Sequence, residues 1–294
     1  MQPVIREQAP LISFRGVCKA FGPKVVYRGL GLDVYRGEVI TIVGGSGVGK
    51  SVMLKMLIGL LAVDRGSIAF DGHEITAMNE DQLSRVRQRI AMLFQSGALF
   101  DSLNVGENVA YGLEEHFRQK MSKAEIKDRV AWALGLVGLP GVEEMRPADL
   151  SGGMRKRVGL ARAIAVQPEV VLYDEPTTGL DPINTARVNH MIMGLQEKLH
   201  FTSMVVTHDM KSAFTISDRM AMVHSGTIIC QAPVDEFRAS TDPRSHRRPR
   251  HGATRCGAAR RAGEHHGGPS APSRRQATDC PGAGQWRRAP CHSR

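Results

Sequence analysis

At 294 residues the chain is long enough for one large domain or two small ones, with ample core in either case. Apolar residues make up 42% of it and mean hydropathy is −0.21, and no run nears the roughly 18–20 uninterrupted apolar residues of a membrane-spanning helix, which excludes a channel-forming chain. The net charge of +10 sits at one end: residues 241–294 hold 12 Arg and no Lys against three acids, while residues 1–240 hold 27 basic and 26 acidic side chains, so the body is nearly neutral.

In chain order, residues 1–10 carry Arg6 and Glu7 and no apolar stretch suited to export. The expectation is a protein that stays in the cytosol or meets a membrane only through a partner. Residues 11–240 read as alternating strands and helices. Val39 to Val43 (Val-Ile-Thr-Ile-Val) enters a Gly-rich turn and suits a strand buried on both faces. From Lys50 the pattern turns helical, with Met53, Leu54, Leu57 and Ile58 on one face. Ser67 to Phe70 reads as a strand entering the Asp71-Gly72 turn. The pattern is mostly helical from about 100 to 165, which predicts a helical insertion over about 96–165. Val170 to Tyr173 and Met204 to Thr207 are two further buried-strand candidates.

Residues 241–294 contain no Val, Ile, Leu, Met, Phe or Tyr, but seven Gly, six Pro and five His. Such a segment has nothing to bury against its conformational entropy, so disorder is predicted. Its vocabulary is also what GC-rich codons yield when read out of frame, and all ten lysines lie before residue 241. A frameshift from about residue 245 is the expectation, with a genuine Arg-rich arm for anionic lipid or nucleic acid as the rival. Of five cysteines, Cys18 and Cys230 lie far apart in the body and three lie in the tail. An odd count without paired spacing gives no disulfide framework and fits a reducing compartment.

Gly44-Gly45-Ser46-Gly47-Val48-Gly49-Lys50-Ser51 fits the phosphate-binding pattern G-x-x-x-x-G-K-[ST], placed after a buried strand and before a helix. Its glycines let backbone N–H groups converge on phosphate oxygens, and the helix N-terminus adds its positive end. Lys50 is positioned to reach the β- and γ-phosphates and Ser51 to ligate Mg²⁺. Asp174 and Glu175 end the Val170 strand, where an acidic pair holds a metal shell and polarises a water. Asp174 is the expected metal-side carboxylate and Glu175 the expected base.

Leu150-Ser151-Gly152-Gly153-Met154 lies 23 or so residues, about one helix and turn, before that acidic pair. Here the chain resembles the ABC ATPases, whose signature is usually Leu-Ser-Gly-Gly-Gln; Met154 replaces the glutamine. Ser151, Gly152 and Gly153 open a helix and so form a second anion site. The resemblance implies that this site contacts the γ-phosphate held by a second subunit, so two chains close over two ATP molecules. It further implies that Gln95 contacts Mg²⁺ and reports to a permease, that Asp181 of Gly179-Leu180-Asp181-Pro182 lies at the dimer seam, and that His208 contacts the γ-phosphate. Phe21 occupies the place of the aromatic that stacks on adenine. The implied fold is α/β, a P-loop NTPase with a RecA-like core, an N-terminal antiparallel β portion and the helical insertion, spanning residues 11–240.

The run Phe94-Gln95-Ser96-Gly97-Ala98-Leu99-Phe100-Asp101-Ser102-Leu103-Asn104-Val105, with Leu-Ser-Gly-Gly-Met, is similar to ATPases of the maintenance-of-lipid-asymmetry (Mla) type. That likeness implies ATP and Mg²⁺ as cofactors and a homodimer beneath integral-membrane permease subunits at the cytoplasmic face of a bacterial inner membrane. It also implies an MCE-domain substrate-binding protein, a small accessory cytoplasmic protein, and phospholipid movement between inner and outer membranes. Leu99, Phe100, Leu103 and Val105 form either a groove for the permease's coupling helix or helical core. The alternatives are an ABC importer or exporter for another substrate, and a soluble ABC-fold protein acting on nucleic acid or ribosomes. The latter generally carries tandem domains or a long coiled coil, and this chain has one P-loop and no sustained heptads.

Overall fold

The computed structural model describes residues 9–95, 97–117 and 120–240; the expectations for residues 1–8, Ser96 and the tail beyond residue 240 lie outside the described residues. The chain begins with strands β1 (Ile12–Phe21) and β2 (Lys24–Val34), then β3 (Val39–Val43), helix α1 (Lys50–Leu57), β4 (Arg65–Phe70), β5 (His73–Glu74), α2 (Glu80–Arg89) and β6 (Ile90–Leu93). Three helices follow, α3 (Val105–Phe117), α4 (Lys123–Leu136) and α5 (Gly152–Ala165), with a 3-10 turn at Pro147–Asp149 between the last two. The chain then alternates β7 (Val170–Asp174), α6 (Pro182–Leu199), β8 (Thr202–Thr207), α7 (Met210–Ile216), β9 (Arg219–His224), β10 (Thr227–Pro233) and α8 (Val234–Ser240).

Two sheets result. The first is antiparallel, ordered β2-β1-β4-β5; the second is ordered β10-β9-β3-β8-β7-β6 and is parallel except for β10. Every residue of β3, β7 and β8 is buried, which is why these runs carry apolar residues and small Ser or Thr without polar alternation, apart from the Asp174 that ends β7. Alternation survives in what each residue packs against. Val170, Leu172, Met204 and Val206 join one core with Ile40, Ile42, α1 and the antiparallel sheet. Val171, Tyr173 and Val205 face the other way, into a second core with α3, α4, α5 and α6. Met53, Leu54 and Leu57 of α1 are fully buried against the first core, each contributing about 1.5–3 kcal/mol of transfer free energy.

Local chemistry sets the helix starts. Asn79 with Gln82 and Ser122 with Glu125 form capping boxes for α2 and α4. The segment ahead of α3 is held by Asn108, fully buried, whose amide donates to the carbonyls of Phe100, Leu103 and Asn104 and accepts from the Phe100 N–H. Arg162 of α5 donates to the carbonyls of Gly97 and Ala98, tying that segment to the helix. Leu99, Phe100, Leu103 and Val105 divide here: Val105 is fully buried in the helical core, whereas Phe100 is 42% exposed, its ring 4.7 Å from that of the exposed Tyr111. Among the described residues no helix is long and apolar enough to cross a membrane.

Candidate active site

At the C-terminal end of β3 the chain turns through Gly44–Gly49 into α1. A side chain at Gly44 would bring its Cβ within 2.7 Å of the Val223 carbonyl oxygen. Gly49 is excluded to other residues twice over: its φ is +102°, and a Cβ there would sit 2.3 Å from Val26 Cγ1. The Tyr27 hydroxyl donates to the Gly49 carbonyl at 2.6 Å, and burial raises the phenol's pKa, which keeps it a neutral donor.

Lys50 and Ser51 open α1 and point into the turn. Lys50, 7% exposed, donates from Nζ to the carbonyls of Gly44 at 3.0 Å and Gly45 at 3.2 Å. Its Nζ also lies 3.6 Å from Glu175 Oε1. Ser51 Oγ donates to Asp174 Oδ1 at 2.6 Å, joining the turn to the end of β7. Glu175 follows with its N–H on the Val206 carbonyl at 2.9 Å, so the ladder to β8 runs one residue past the strand. Its φ of +51° is rare for a non-glycine residue and swings its carboxylate off the strand line toward the turn. There Oε2 accepts from Thr178 Oγ1 at 3.1 Å and lies 2.8 Å from Nδ1 of His208, just beyond β8.

These groups line one cleft of about 510 Å³. Its lining comes from the turn and the start of α1 (Ser46, Gly47, Gly49, Lys50 and Ser51), from Gln95, Glu175, Thr178 and His208, and from Phe21, Lys24 and Val26 of the β1–β2 hairpin. Phe21 is 44% exposed there, with the Lys19 ammonium 5.3 Å from its ring. Gly44 and Gly45 serve the cleft through the carbonyls that hold Lys50, and Val48 packs against the core. The Ser51 hydroxyl, the Asp174 carboxylate bonded to it and the Gln95 amide offer hard oxygens, the set that suits Mg²⁺ beside a phosphate.

The structure does not bring Ser151, Gly152, Gly153 or Asp181 to this cleft. Ser151 caps α5, its Oγ accepting from the Met154 N–H at 3.2 Å, and Asp181 caps α6 by accepting from the N–H groups of Ile183 and Asn184. Sequence reading misses Lys156. This α5 residue is 8% exposed and donates from Nζ to the carbonyls of Pro176 at 3.0 Å and Thr178 at 2.6 Å, holding the loop that follows Glu175. Burial pushes its pKa down, and the Glu175 charge opposes that. No local pattern marks a contact made across twenty residues.

Comparison with known proteins places this geometry. Residues 27–178, just over half of the chain, match the family model described as ABC transporter. The probable ribonucleotide transport ATP-binding protein Mkl of Mycobacterium leprae is 42% identical over 232 residues, 79% of this chain and 66% of that protein, so the chain spans just under two thirds of this relative's length. The intermembrane phospholipid transport system ATP-binding protein MlaF of Escherichia coli K12 is 39% identical over 236 residues, 80% of this chain and 87% of MlaF. Among solved structures, the dimeric post-hydrolysis state of the ATP-binding cassette MJ0796 bound to ADP and Pi superposes with a TM-score of 0.70 at 29% identity, covering 76% of this chain and 98% of that one. The chain belongs to the ABC transporter family, as one of its ATP-binding cassettes.

Proposed function

We propose that the chain is the ATP-hydrolysing subunit of a transporter, acting as a homodimer that powers phospholipid movement between inner and outer membranes. The observation that carries the reading is the meeting of Glu175, Lys50 and His208 at the ends of β3, β7 and β8, above a turn built for phosphate. Backbone N–H groups of the turn and Lys50 bind the β- and γ-phosphates. Ser51, Asp174 and Gln95 would hold Mg²⁺, which supplies charge neutralisation at the phosphate oxygens. Glu175 accepts the proton of a water attacking in line, and His208 orients that carboxylate and contacts the γ-phosphate. Phe21 stacks on the adenine from the β1–β2 hairpin.

Ser151, Gly152, Gly153 and Asp181 complete the site from a second chain, which accounts for their absence from the cleft of one chain. The phospholipid substrate rests on the likeness to MlaF, which extends over 87% of that relative. With it come integral-membrane permease subunits, an MCE-domain protein, a small accessory protein and a place at the cytoplasmic face of the inner membrane. Phe100 and Tyr111, exposed and in contact with their ring planes tilted at 47°, supply an apolar seat for the permease's coupling helix.

Glu175→Gln tests the chemistry. It should bind ATP with near wild-type affinity, hydrolyse it about 10²–10⁴-fold more slowly, and accumulate as an ATP-closed dimer on size exclusion. Turnover near wild type would remove Glu175 from the mechanism. Reconstitution with the cognate permease, scoring ATP-driven transfer of labelled phospholipid between vesicles, tests the substrate; ATPase activity without transfer would refute it.

A further inference from the structure

On α6, away from the cleft, Arg187, His190 and Lys198 lie three and then eight residues apart along one helix face. Arg157 of α5 faces them across a depression of about 370 Å³ at the C-terminal end of α4, with Met191 and Leu195 among its apolar lining. Among the described residues no carboxylate lines it. Four basic side chains therefore share one concavity whose remaining surface is apolar or glycine. Its volume falls within the roughly 300–1,000 Å³ of small-molecule sites.

Two features indicate that the space is to be filled. Arg157 is half-buried, with Nη1 fixed by the carbonyls of Val137 at 3.3 Å and Gly138 at 3.2 Å. Burial and the neighbouring Arg187 charge both push its pKa down, so the cation is held at a cost that a bound anion would offset. The second is Gly194, in the middle of the 18-residue α6. Glycine costs about 1 kcal/mol relative to alanine inside a helix, and a Cβ at this position would meet nothing within 4 Å. Packing does not require glycine here; what its lack of a side chain preserves is the floor of the depression.

We propose that this depression binds a phosphomonoester carrying an apolar group. A carboxylate would balance only one of the cations, whereas a phosphomonoester approaches two negative charges near neutral pH, its second pKa being about 6. Three acceptor oxygens suit the forked donors of Arg157 and Arg187, with the Lys198 ammonium as a point charge. The apolar group packs against Met191, which is only partly buried, over the buried Leu195. The shared chemistry has two sources, a soluble metabolite or the headgroup of a phosphatidate-type lipid. Because the depression joins α4 and α5 of the helical portion to α6, its occupant grips both.

The test uses the full chain with its nucleotide cleft saturated by Mg-ADP. Titrating phenyl phosphate by calorimetry should show saturable one-site binding, at least ten-fold weaker for Arg187→Ala/Lys198→Ala. Gly194→Leu, which fills the floor without altering charge, should weaken it equally, and both variants should keep wild-type ADP affinity and thermal unfolding. Benzenesulfonate, of the same shape with one charge, should bind several-fold more weakly. Flotation with phosphatidylcholine vesicles containing phosphatidate separates the sources. Binding lost in the same variants assigns the lipid headgroup, and phenyl phosphate binding without flotation assigns the soluble metabolite. Absence of saturable binding to either probe, or binding unchanged in both variants, overturns the proposal.

Discussion

Replacing Lys156 by methionine removes an ammonium while keeping most of its length and apolar stem. The wild-type Nζ bonds two carbonyls, Pro176 at 3.0 Å and Thr178 at 2.6 Å, and a bond from a charged donor typically contributes about 1.5–3 kcal/mol net. Burial already penalises this cation, as its lowered pKa records, so the net loss is smaller than two full bonds. About 2–3 kcal/mol is expected, a fall in Tm of about 4–12 °C for a domain of this size. The larger effect should be on chemistry. The loop held by Lys156 carries Thr178, whose hydroxyl bonds Glu175 Oε2 at 3.1 Å, and a displacement of about 1 Å in a reacting group costs about 10²-fold in rate. Single-turnover hydrolysis should therefore fall far more than ATP affinity, with Lys156→Gln, which retains a donor, recovering part of the loss. Lys156→Met with wild-type Tm and turnover would refute the reasoning; so would affinity falling in step with rate, which would mark general loosening.

Composite sites predict that a mixed dimer of Ser151→Arg and Lys50→Ala chains retains one competent site, counted as one labelled ATP trapped per dimer; none trapped, with both chains folded, counts against a shared site. Arg219→Met removes the guanidinium that donates to Glu38, a carboxylate 1% exposed, and should cost about 3–5 kcal/mol in urea unfolding; a loss below 1 kcal/mol or so would show the pair to be dispensable. Asp71 and Glu169 are both held below the usual carboxylate range, each chiefly by a hydrogen bond from Arg89. A depressed carboxylate pKa stabilises the fold above its unfolded value of about 4 and loses that contribution as pH falls through the lower folded value. Wild type should thus exceed Arg89→Gln in urea midpoint at pH 6 and lose that margin below about pH 4; a margin constant with pH would contradict the assignment.

What was legible in the residues was local. The P-loop could be read because eight consecutive positions carry its chemistry and the strand and helix flanking it have their own periods. β7 and β8 were legible because burial on both faces leaves apolar runs, Val170 to Tyr173 and the shorter Met204 to Val206, in place of alternation. Contacts between distant segments left no such trace. Tyr27 reads as an ordinary strand aromatic, and only the folded hairpin brings its hydroxyl to Gly49. Lys156 looks like a solvated charge on a basic helix until the loop after β7 is packed against it. Arg157 and Lys198 are likewise unremarkable until α5 and α6 are set side by side. Phe100 and Val105 are both apolar and only five residues apart, and only the packing of α3 separates the buried one from the exposed one.

The seating of Glu175 one residue beyond β7, with its N–H on the Val206 carbonyl, bears on how the chain reaches its working form. Asp174 pairs with Val206 in a parallel register, and β3 pairs with β8 across more than 150 residues of intervening chain. A slip of one residue in β7 would present the opposite side chain to the turn, so partly folded states with any other pairing lack the site altogether. Parallel pairing at such separation forms late, after the costly closure of long loops. Nucleotide is then a ligand of the correctly aligned state alone, and its concentration adds stability to that state and to no misaligned competitor. In a cell rich in ATP, the substrate would act as a proofreader of strand alignment during maturation, before the first turnover.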